Sequence, residues 1–338
     1  MELKDIYKYY GKIATNPKAF YVAGQLELTT KCFGNCAFCE KALKQKRWAE
    51  PIPLGVVKRF HEELCASTWF ENLNLTGGDP QSYKWLDEYL EFAAGFRKII
   101  NISSTLQVDM DTELWGRAVK SVRVSIDGVT RESLKATRGV EYEIGDVIRR
   151  MKHLHEQGIE IQVNVCVSER NVATIHEIYY ELKYAAPFIT RLMYMVWMQG
   201  VTGDPMVELA AHRINAIHER AKYDRVPFHV SSQEEPEILR NEKISGALDD
   251  VRCWCSRLGF HIKPNGDVYR CVPAGGECTD ADDQYIVGNI VRQSIGEVYR
   301  SLEVIPKLYK TETCKQRCQW KQAALNKIGE QASKILLK

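Results

Sequence analysis

Three cysteines within one eight-residue segment are the residues of this sequence with the clearest chemical meaning. Cys32, Cys36 and Cys39 occur in the order CFGNCAFC, directly after a short apolar run. A cubane [4Fe–4S] cluster needs four ligands, so three protein thiolates would leave one iron open to a ligand from outside the chain. Gly34 and Asn35 would let the backbone curl around such a cube. The spacing therefore indicates an iron–sulfur cluster with one open coordination site.

Two other interpretations of these three cysteines remain open. The spacing i, i+4, i+7 also describes a buried stripe on a helix, although Gly34 and Asn35 make a poor helix interior. The same thiolates could instead bind zinc together with a distant fourth ligand. The iron–sulfur interpretation is the one we favour.

The remaining cysteines form two further groups and two isolated residues. The chain has eleven cysteines, an odd number, so complete disulfide pairing within it is impossible. Four thiolates of the later groups could complete a second cluster or a structural zinc site. The later groups are Cys253, Cys255, Cys271 and Cys278, then Cys314 and Cys318, while Cys65 and Cys166 stand alone.

The elements that must position the first cysteines alternate between β-branched runs and stretches of helical period. This pattern is typical of β/α units on a parallel sheet. Six units are fewer than the eight that close a full barrel, so the sequence predicts an α/β fold with a partial (β/α)6 TIM-like barrel and an active site at the carboxyl ends of its strands. The predicted strands are Gln25–Thr29, Asn72–Thr76, Lys98–Ser103, Ser121–Ile126, Glu160–Val167 and Thr190–Trp197.

Helices and a small hairpin domain complete the outline. Helices are predicted over Tyr142–Gln157 and Val207–Lys222. Phe260–Lys263 and Asp267–Val272 flank Pro264-Asn265-Gly266, which predicts a β-hairpin with a type I′ turn. The expected domains are an N-terminal extension (1–24), the barrel (25–225), a linker (226–250), a C-terminal hairpin/helix domain (251–320) and a C-terminal helix (321–338).

Composition and charge exclude several classes of protein. The chain has 338 residues, 45% of them hydrophobic and 27% charged, which is typical of a globular protein and argues against long disordered tails. A formal net charge of +2 does not suit a general nucleic-acid binder, and no apolar stretch is long enough to span a membrane. The start of the chain lacks the apolar core of a secretory signal, so a cytoplasmic location is expected.

The motif CxxxCxxC, with an aromatic residue before its last cysteine, resembles the signature of the radical S-adenosylmethionine (SAM) superfamily. Together with later motifs, the resemblance covers roughly residues 24 to 320. It implies that the amino and carboxylate groups of SAM bind the open iron. It also implies that reductive cleavage of SAM gives a 5′-deoxyadenosyl radical, which abstracts a hydrogen atom from the substrate. The protein would supply orientation and exclusion of water.

The resemblance also implies which residues lie near SAM. Phe38 would lie beside the adenine. Thr76-Gly77-Gly78-Asp79-Pro80 is similar to the glycine-rich motif that receives the amino group, with Asp79 in place of the usual glutamate. Ser125 and Arg138 resemble residues of a fourth-strand motif, in which the guanidinium suits the SAM carboxylate.

Two further positions have both a functional and a structural interpretation. Asn164 is a candidate contact to ribose or substrate, or else a hydrogen-bonded core amide. Cys166 shares a strand face with Asn164, and Cys166 and Cys278 are candidate hydrogen-atom donors of the kind that some relatives use. A free buried cysteine is the commoner explanation for either thiol.

The later cysteines resemble the SPASM and twitch auxiliary-cluster domains, which would occupy residues 251–320 here. The spacing from the first of them to Gly266 and on to Cys271 is similar to the CX9–15GX4C opening of those domains. Six cysteines favour the shorter twitch form with one auxiliary [4Fe–4S] cluster, and a structural zinc is the alternative. The implied ligands are Cys253, Cys271, Cys314 and Cys318, with Cys255 as the alternative to Cys253.

The sequence therefore predicts a radical SAM enzyme. Most relatives with such a domain modify ribosomally made peptides or proteins, giving crosslinks, thioethers or epimers, whereas others oxidise small cyclitols or sugars; a peptide substrate is favoured. The resemblance implies an electron donor such as flavodoxin or ferredoxin and, for a peptide, a separate leader-peptide recognition protein. No nucleic-acid or membrane partner is expected. A non-catalytic iron–sulfur carrier or a zinc-stabilised scaffold is the alternative of another class.

Overall fold

The computed structural model describes residues 22–36, 38–39, 50–68, 70–196, 205–232, 258–271 and 285–302. These residues form two compact units. The hairpin unit takes the described residues among 1–28, 50–74 and 243–338, and the cysteine-loop unit takes those among 29–49 and 75–242. Within the described ranges, no helix is both long enough and apolar enough to cross a membrane.

Parallel strands form the framework of the cysteine-loop unit. The carboxyl ends of β1 (Ala23–Thr29) and β2 (Asn72–Gly77) belong to it. The strands that follow lie in chain order, each hydrogen-bonded to the next and parallel to it. They are β3 (Ile100–Ser104), β4 (Val119–Ser125), β5 (Glu160–Val167), β6 (Arg191–Val196) and β7 (His229–Ser232).

Helices connect the strands along the chain. A 3₁₀ turn at Pro80–Ser82 follows β2. The hairpin unit contains α1 (Leu54–Ala66) and α8 (Ile295–Ser301). The cysteine-loop unit contains α2 (Leu86–Ala93), α3 (Thr112–Ala118), α4 (Arg131–Arg138), α5 (Ile144–Glu156), α6 (Ile175–Ala185) and α7 (Pro205–Asp224).

Strand β5 shows how the sequence specifies two different faces. In EIQVNVCV, Ile161 and the valines are buried, whereas Gln162, Asn164 and Cys166 alternate with them and are half-buried. Successive side chains of a strand point to opposite sides, so the polar residues share one face. We call this the polar face, and its polar residues are Asn101, Ser103, Ser121, Arg123, Ser125, Glu160, Gln162, Asn164, Cys166, Arg191, His229 and Ser231.

Helix α4 is short and capped at both ends, and it carries Arg138 as its last residue. Thr130 and Ser133 form a capping box at its amino end. Gly139 ends the helix in the left-handed conformation, with a φ of 68°. These caps define the helix boundaries and therefore fix the position from which the Arg138 side chain extends.

The hairpin unit is built on β1, which pairs with strands from the far end of the chain. Strand β8 (Gly259–Ile262) runs parallel to β1, and β9 (Asp267–Tyr269) and β10 (Ile286–Asn289) continue the sheet in antiparallel order. The Phe260 ring stacks on Phe70 and meets Phe60 edge-on. A Cβ at Gly24 would lie 2.1 Å from the Phe260 ring, so the close approach of this ring requires glycine.

A buried ionic cluster joins β1 to the hairpin. Glu27 is fully buried, and its Oε1 lies 2.6 Å from His261 Nε2. The same oxygen accepts a hydrogen bond from Lys263 Nζ at 3.1 Å. The cluster places paired charges within the sheet, where a single charge would be costly.

The six predicted strands are confirmed, each with ends within two residues of those observed. The helices predicted over Tyr142–Gln157 and Val207–Lys222 are confirmed as α5 and α7 with the same tolerance. Strand β7 was not predicted and lies within the segment expected to be a linker. It is only four residues long, follows Pro227 and contains two serines, so its sequence gives a weak strand signal.

The hairpin of β8 and β9 is confirmed, but its predicted turn type is wrong. A type I′ turn centred on Asn265 and Gly266 needs positive φ at both residues, but Asn265 does not have positive φ. Pro264 and Asn265 are instead the central pair, and proline is favoured at the first central position of a type I turn. Gly266 instead takes a φ of 87°, and its N–H donates to Lys263 O at 2.8 Å. This is the pattern of a type I turn followed by a glycine bulge.

Candidate active site

The three cysteines of the first motif lie in the loop that leaves β1. Cys36 is buried, Cys39 is half-buried and Cys32 is exposed. The Gly34 N–H donates to Cys32 Sγ at 3.4 Å. A Cβ at Gly34 would lie 3.6 Å from Cys36 Sγ and 4.0 Å from Cys32 Sγ, so these two sulfurs flank the glycine. The loop thus gathers thiol groups around a position without a side chain.

Arg138 ties the carboxyl end of α4 to this loop. The Asn35 N–H donates to Arg138 O at 2.8 Å, and Arg138 Nη1 donates to Cys36 Sγ at 3.6 Å. The guanidinium carbon lies 5.8 Å from the centre of the Phe38 ring. A Cβ at Gly139 would lie 2.6 Å from Asn35 O, so this close packing requires glycine. Arg138 therefore contacts the cysteine loop through both its backbone and its side chain.

Asp127 orients Arg138 from the loop after β4. This carboxylate is fully buried, and its Oδ2 lies 2.6 Å from Arg138 Nε. Its Oδ1 accepts a hydrogen bond from the Cys166 N–H at 2.7 Å, and Asn171 Nδ2 donates to Asp127 O at 3.1 Å. Burial disfavours the guanidinium charge, but Asp127 and Cys36 outweigh it and raise the pKa of Arg138, which stays a cation.

The sequence reasoning missed the role of Asp127. The fourth-strand motif predicted a role for Ser125 and Arg138 but none for Asp127, which lies two residues after Ser125. The available signal was an aspartate directly after a buried strand, with an arginine expected at the same site. Buried carboxylates are almost always paired, so this combination favours an ion pair.

The glycine-rich motif after β2 packs against the backbone that enters the cysteine loop. The Gly78 N–H donates to Thr29 O, and the Asp79 N–H donates to Lys31 O, both at 2.8 Å. A Cβ at Gly77 would lie 2.3 Å from Thr29 O, and one at Gly78 would lie 1.8 Å from Lys31 O. Gly77 also has a φ of 133°. The close approach of this motif to the backbone at Thr29 and Lys31 therefore requires both glycines, whether or not a ligand is bound.

The Asp79 carboxylate accepts four hydrogen bonds from the chain itself. Its Oδ1 accepts from Gln81 N at 3.0 Å and Ser104 Oγ at 2.8 Å. Its Oδ2 accepts from Thr105 N at 2.9 Å and Thr105 Oγ1 at 2.7 Å, and the residue is 1% exposed. Asp79 thus joins the loop after β2 to the end of β3, and its contact with the SAM amino group stays a prediction.

Three predicted residues lie together on the polar face. Ser125 and Asn164 are register partners on β4 and β5, and Cys166 follows two residues further along β5. The Ile126 N–H donates to Asn164 O at 3.0 Å, next to the Asp127 site. Asn164 Oδ1 is buried and has no hydrogen-bond partner among the described residues. Burial raises the pKa of the Cys166 thiol, so this residue is a neutral thiol at pH 7.

The donor set of the cysteine loop fits an iron–sulfur cluster. Burial raises the pKa of Cys36 to about 11 and raises that of Cys32, so these thiols keep their protons at pH 7 unless a metal displaces them. The bonds from Gly34 N–H and Arg138 Nη1 are of the kind that stabilise cluster sulfurs. Within the described ranges, no three His, Cys, Asp or Glu side chains converge on a single metal ion.

Most of the predicted auxiliary-cluster ligands fall outside the described residues. Cys271 is described and is half-buried just after β9. Its predicted partners, and the candidate hydrogen donor Cys278, are not among the described residues. Those residues are Cys253, Cys255, Cys278, Cys314 and Cys318.

Comparison with known families identifies the class of the protein. The model of the radical SAM superfamily matches residues 26–182, and that of the SPASM iron–sulfur cluster-binding domain matches residues 253–319. The chain is a radical SAM superfamily enzyme with a C-terminal SPASM domain. Its cofactors are therefore SAM, a [4Fe–4S] cluster and auxiliary iron–sulfur clusters of the SPASM domain.

Curated relatives share modest identity with the chain. It is 23% identical to the AdoMet-dependent heme synthase of Methanosarcina barkeri, covering 86% of each protein. It is 25% identical over 162 residues to a probable GTP 3′,8-cyclase of Methanopyrus kandleri, covering 47% of this chain and 52% of the cyclase. The chain thus spans most of the heme synthase but only about half of the cyclase.

Solved structures confirm the fold. Streptococcus suis SuiB bound to precursor peptide SuiA has a TM-score of 0.65 and 15% identity, with 88% of this chain and 69% of SuiB covered. The anSMEcpe structure with bound AdoMet has a TM-score of 0.60 and 14% identity, with 89% of this chain and 87% of anSMEcpe covered. The predicted α/β class with a partial TIM-like barrel is confirmed.

Proposed function

We propose that this protein cleaves SAM reductively at the cysteine loop and abstracts a hydrogen atom from a substrate held along the polar face. The observation that carries this proposal is the contact of Cys36 Sγ with Arg138, which Asp127 orients. When bound, the cluster and SAM supply the electron transfer and the 5′-deoxyadenosyl radical that removes the hydrogen atom. Cys32, Cys36 and Cys39 would hold three of the four irons.

The remaining residues of the site position groups rather than react. Arg138 keeps a positive charge next to Cys36, which offsets part of the cost that burial places on the Cys36 thiolate. The motif Gly77-Gly78-Asp79 fixes the start of the cysteine loop through its bonds to Thr29 and Lys31. Ser125 is the last residue of β4, and its register partner Asn164 lies near the carboxyl end of β5. Both would offer polar atoms to SAM or the substrate at that end of the strands.

Two classes of substrate have specific support. A ribosomally made peptide, converted to a crosslink, thioether or epimer, is supported by likeness in fold to SuiB, whose structure contains a precursor peptide. A small molecule is supported by the heme synthase, which resembles the chain over most of its length, and by the cyclase, named for GTP. We favour the small molecule because these likenesses are in sequence, at 23% and 25% identity, whereas SuiB is similar in fold at 15% identity. A cyclitol or sugar belongs to the same class.

The supporting components also remain proposals. A SPASM cluster with Cys271 as one ligand would hold the substrate site or accept an electron from the substrate. A flavodoxin or ferredoxin would supply the electron for SAM cleavage, and a leader-peptide recognition protein is needed only if the substrate is a peptide. Thiolate ligands must stay reduced, so a cytoplasmic setting suits this chemistry.

Anaerobic reconstitution with iron and sulfide, followed by SAM and dithionite, tests the proposal. We expect 5′-deoxyadenosine from the wild type and from Cys65→Ala, which removes a thiol from α1. We expect none above background from Cys36→Ala, because the cluster loses one of its three protein ligands. Product formation by Cys36→Ala, or no product from a wild type that carries the cluster, would reject the proposal.

A second experiment separates the two substrate classes. The reconstituted enzyme is incubated with a deuterated cell extract, and transfer of deuterium into 5′-deoxyadenosine is measured by mass spectrometry. Protease treatment of the extract should leave the transfer unchanged if the substrate is a small molecule. Loss of the transfer after protease treatment would establish a peptide substrate instead.

A further inference from the structure

Two arginines on the polar face have no role in the site described so far. Register places Arg123 of β4 beside Gln162 of β5, and Gln162 beside Arg191 of β6, with His229 of β7 next in the same row. Neighbouring strands lie about 4.8 Å apart, so the backbones of the two arginines are about 10 Å from each other. Two side chains of this length can reach one ligand that lies over Gln162.

We call the row formed by Arg123, Gln162, Arg191 and His229 the arginine row. It contains two guanidinium groups and no carboxylate. Within the described part of the chain, neither Arg123 nor Arg191 forms an ion pair, and the hydrogen bond of Arg123 runs from Nε to Gln162 Oε1 at 3.4 Å. Glu160 lies on the same face of β5 as Gln162, and its Oε1 accepts from Gln162 Nε2 at 2.8 Å and from Thr190 Oγ1 at 2.9 Å.

The environment of Arg123 is unfavourable for its charge. The residue is only partly exposed, and burial is the main cause that lowers the pKa of its guanidinium. The charge of Arg191 lowers this pKa further, and the Glu160 carboxylate offsets only part of the effect. A charge that is removed from water and only partly compensated destabilises the fold. A bound anion would remove this penalty and would offset the repulsion between the two guanidinium groups.

The next row along the strands contains polar atoms that lack partners. Ser125, Asn164, Met193 and Ser231 are neighbours in register on β4 to β7. Asn164 Oδ1 and Ser231 Oγ are both buried, and neither has a hydrogen-bond partner among the described residues. This row lies two residues, or about 7 Å, closer to the carboxyl ends of the strands. The unsatisfied atoms therefore lie between the arginine row and the cysteine-loop end of the unit.

We propose that Arg123 and Arg191 bind an anionic group of the substrate, either a carboxylate or a phosphate. Guanidinium groups bind both through paired, charge-assisted hydrogen bonds. Asn164 and Ser231 would contact the uncharged part of the same molecule. Cys166 lies four residues beyond Gln162 on β5, which is about 13 Å along the strand. A substrate with its anionic group over Gln162 would therefore extend about 13 Å to reach Cys166. This inference rests on the proposed function, which places SAM cleavage at the cysteine loop and the substrate along the polar face. It adds that the substrate carries an anionic group.

Calorimetric titration of the full-length protein with two simple anions tests the inference. Pyrophosphate probes a phosphate site and succinate probes a carboxylate site, and no reductant is added, so SAM is not cleaved. The proteins compared are the wild type, Arg123→Gln, Arg191→Gln and Lys120→Gln. Lys120 is an exposed residue of β4 outside the polar face, so its variant removes the same charge from the same strand.

We expect at least one anion to saturate the wild type and Lys120→Gln with the same Kd. The Kd should rise about 10- to 100-fold in both arginine variants, the loss expected for one charged hydrogen-bond partner. The anion that binds more tightly identifies the group. If Arg123→Gln does not fold, Arg191→Gln decides the question, because Arg191 is exposed.

Three results would overturn the inference: no saturable binding by the wild type, an unchanged Kd in Arg191→Gln, or equal weakening in Lys120→Gln. The titration requires no turnover. A protein that binds the anion through these arginines but makes no 5′-deoxyadenosine would refute the proposed function and leave the anion site in place.

Discussion

The loops after β2 and β4 each place a buried aspartate next to the cysteine loop, but they satisfy its charge in opposite ways. Asp79 accepts four hydrogen bonds, all from neutral donors. Asp127 instead pairs with the guanidinium of Arg138, which in turn contacts Cys36. The first arrangement fixes the shape of a loop, whereas the second also carries charge to a cluster ligand. Similar residues at similar positions therefore have different functions.

Among the variants that separate the two loops, Asp127→Asn should have the largest effect on stability and on the iron that the protein retains. Asp127→Asn leaves the Arg138 cation buried without its counter-charge, and breaking such a pair costs about 3–5 kcal/mol. Residues that support metal ligands affect metal affinity about 10- to 100-fold. We expect a loss of both stability, measured by urea unfolding of the metal-free protein, and iron retained after reconstitution.

The double variant Asp127→Asn/Arg138→Gln is the control for this prediction. It removes both charges, so it should recover much of the unfolding free energy that Asp127→Asn loses. It should not recover the iron, because the hydrogen bond to Cys36 is altered. Full recovery of iron in the double variant would show that the pair acts on stability alone.

Asp79→Asn should have an intermediate effect and should act on stability only. An asparagine offers one carbonyl oxygen where the carboxylate offers two, and a buried donor left without a partner costs about 1–3 kcal/mol. We expect a lower urea midpoint, with the reduction potential of the reconstituted cluster unchanged. A shift in potential equal to that in Asp127→Asn would erase the distinction between the two loops.

Arg138→Lys should have the smallest effect. A lysine keeps the positive charge near Asp127, so the unfolding free energy should fall by less than in Asp127→Asn, where the counter-charge is lost. It lacks the planar fork that reaches Asp127 and Cys36 together, so the cluster potential should change while SAM affinity stays constant. A loss of SAM affinity with an unchanged potential would favour the SAM carboxylate as the partner of Arg138.

The sequence was most informative where period and spacing are repeated. The alternation of strands and helices predicted six strands to within two residues, because buried strands and amphipathic helices have distinct periods. It missed β7, which is too short to show a period. It also gave the wrong type for the turn after β8, because Pro264 favours a type I turn in which Pro264 and Asn265 are the central residues, rather than the Asn-Gly pair. Both errors concern segments of four residues or fewer.

The site was predicted less completely than the fold. Ser125 and Asn164 were expected on neighbouring strands, and the register confirms that they are paired. The partners of Asp79 and the Asp127–Arg138 pair could not be predicted, because each joins residues that are distant in sequence and meet only through tertiary structure. The spacing of motifs shows which residues are present but not which of them satisfy one another.

The parallel pairing of β1 with β8 has a consequence for the order of folding. Glu27 contacts His261 and Lys263, which are synthesised more than two hundred residues after it. Until β8 has been made, β1 lacks its neighbour on that side and exposes an unpaired edge. Contacts of such long range slow folding and leave the nascent chain open to association, so chaperone dependence during synthesis is the expected cost of this topology.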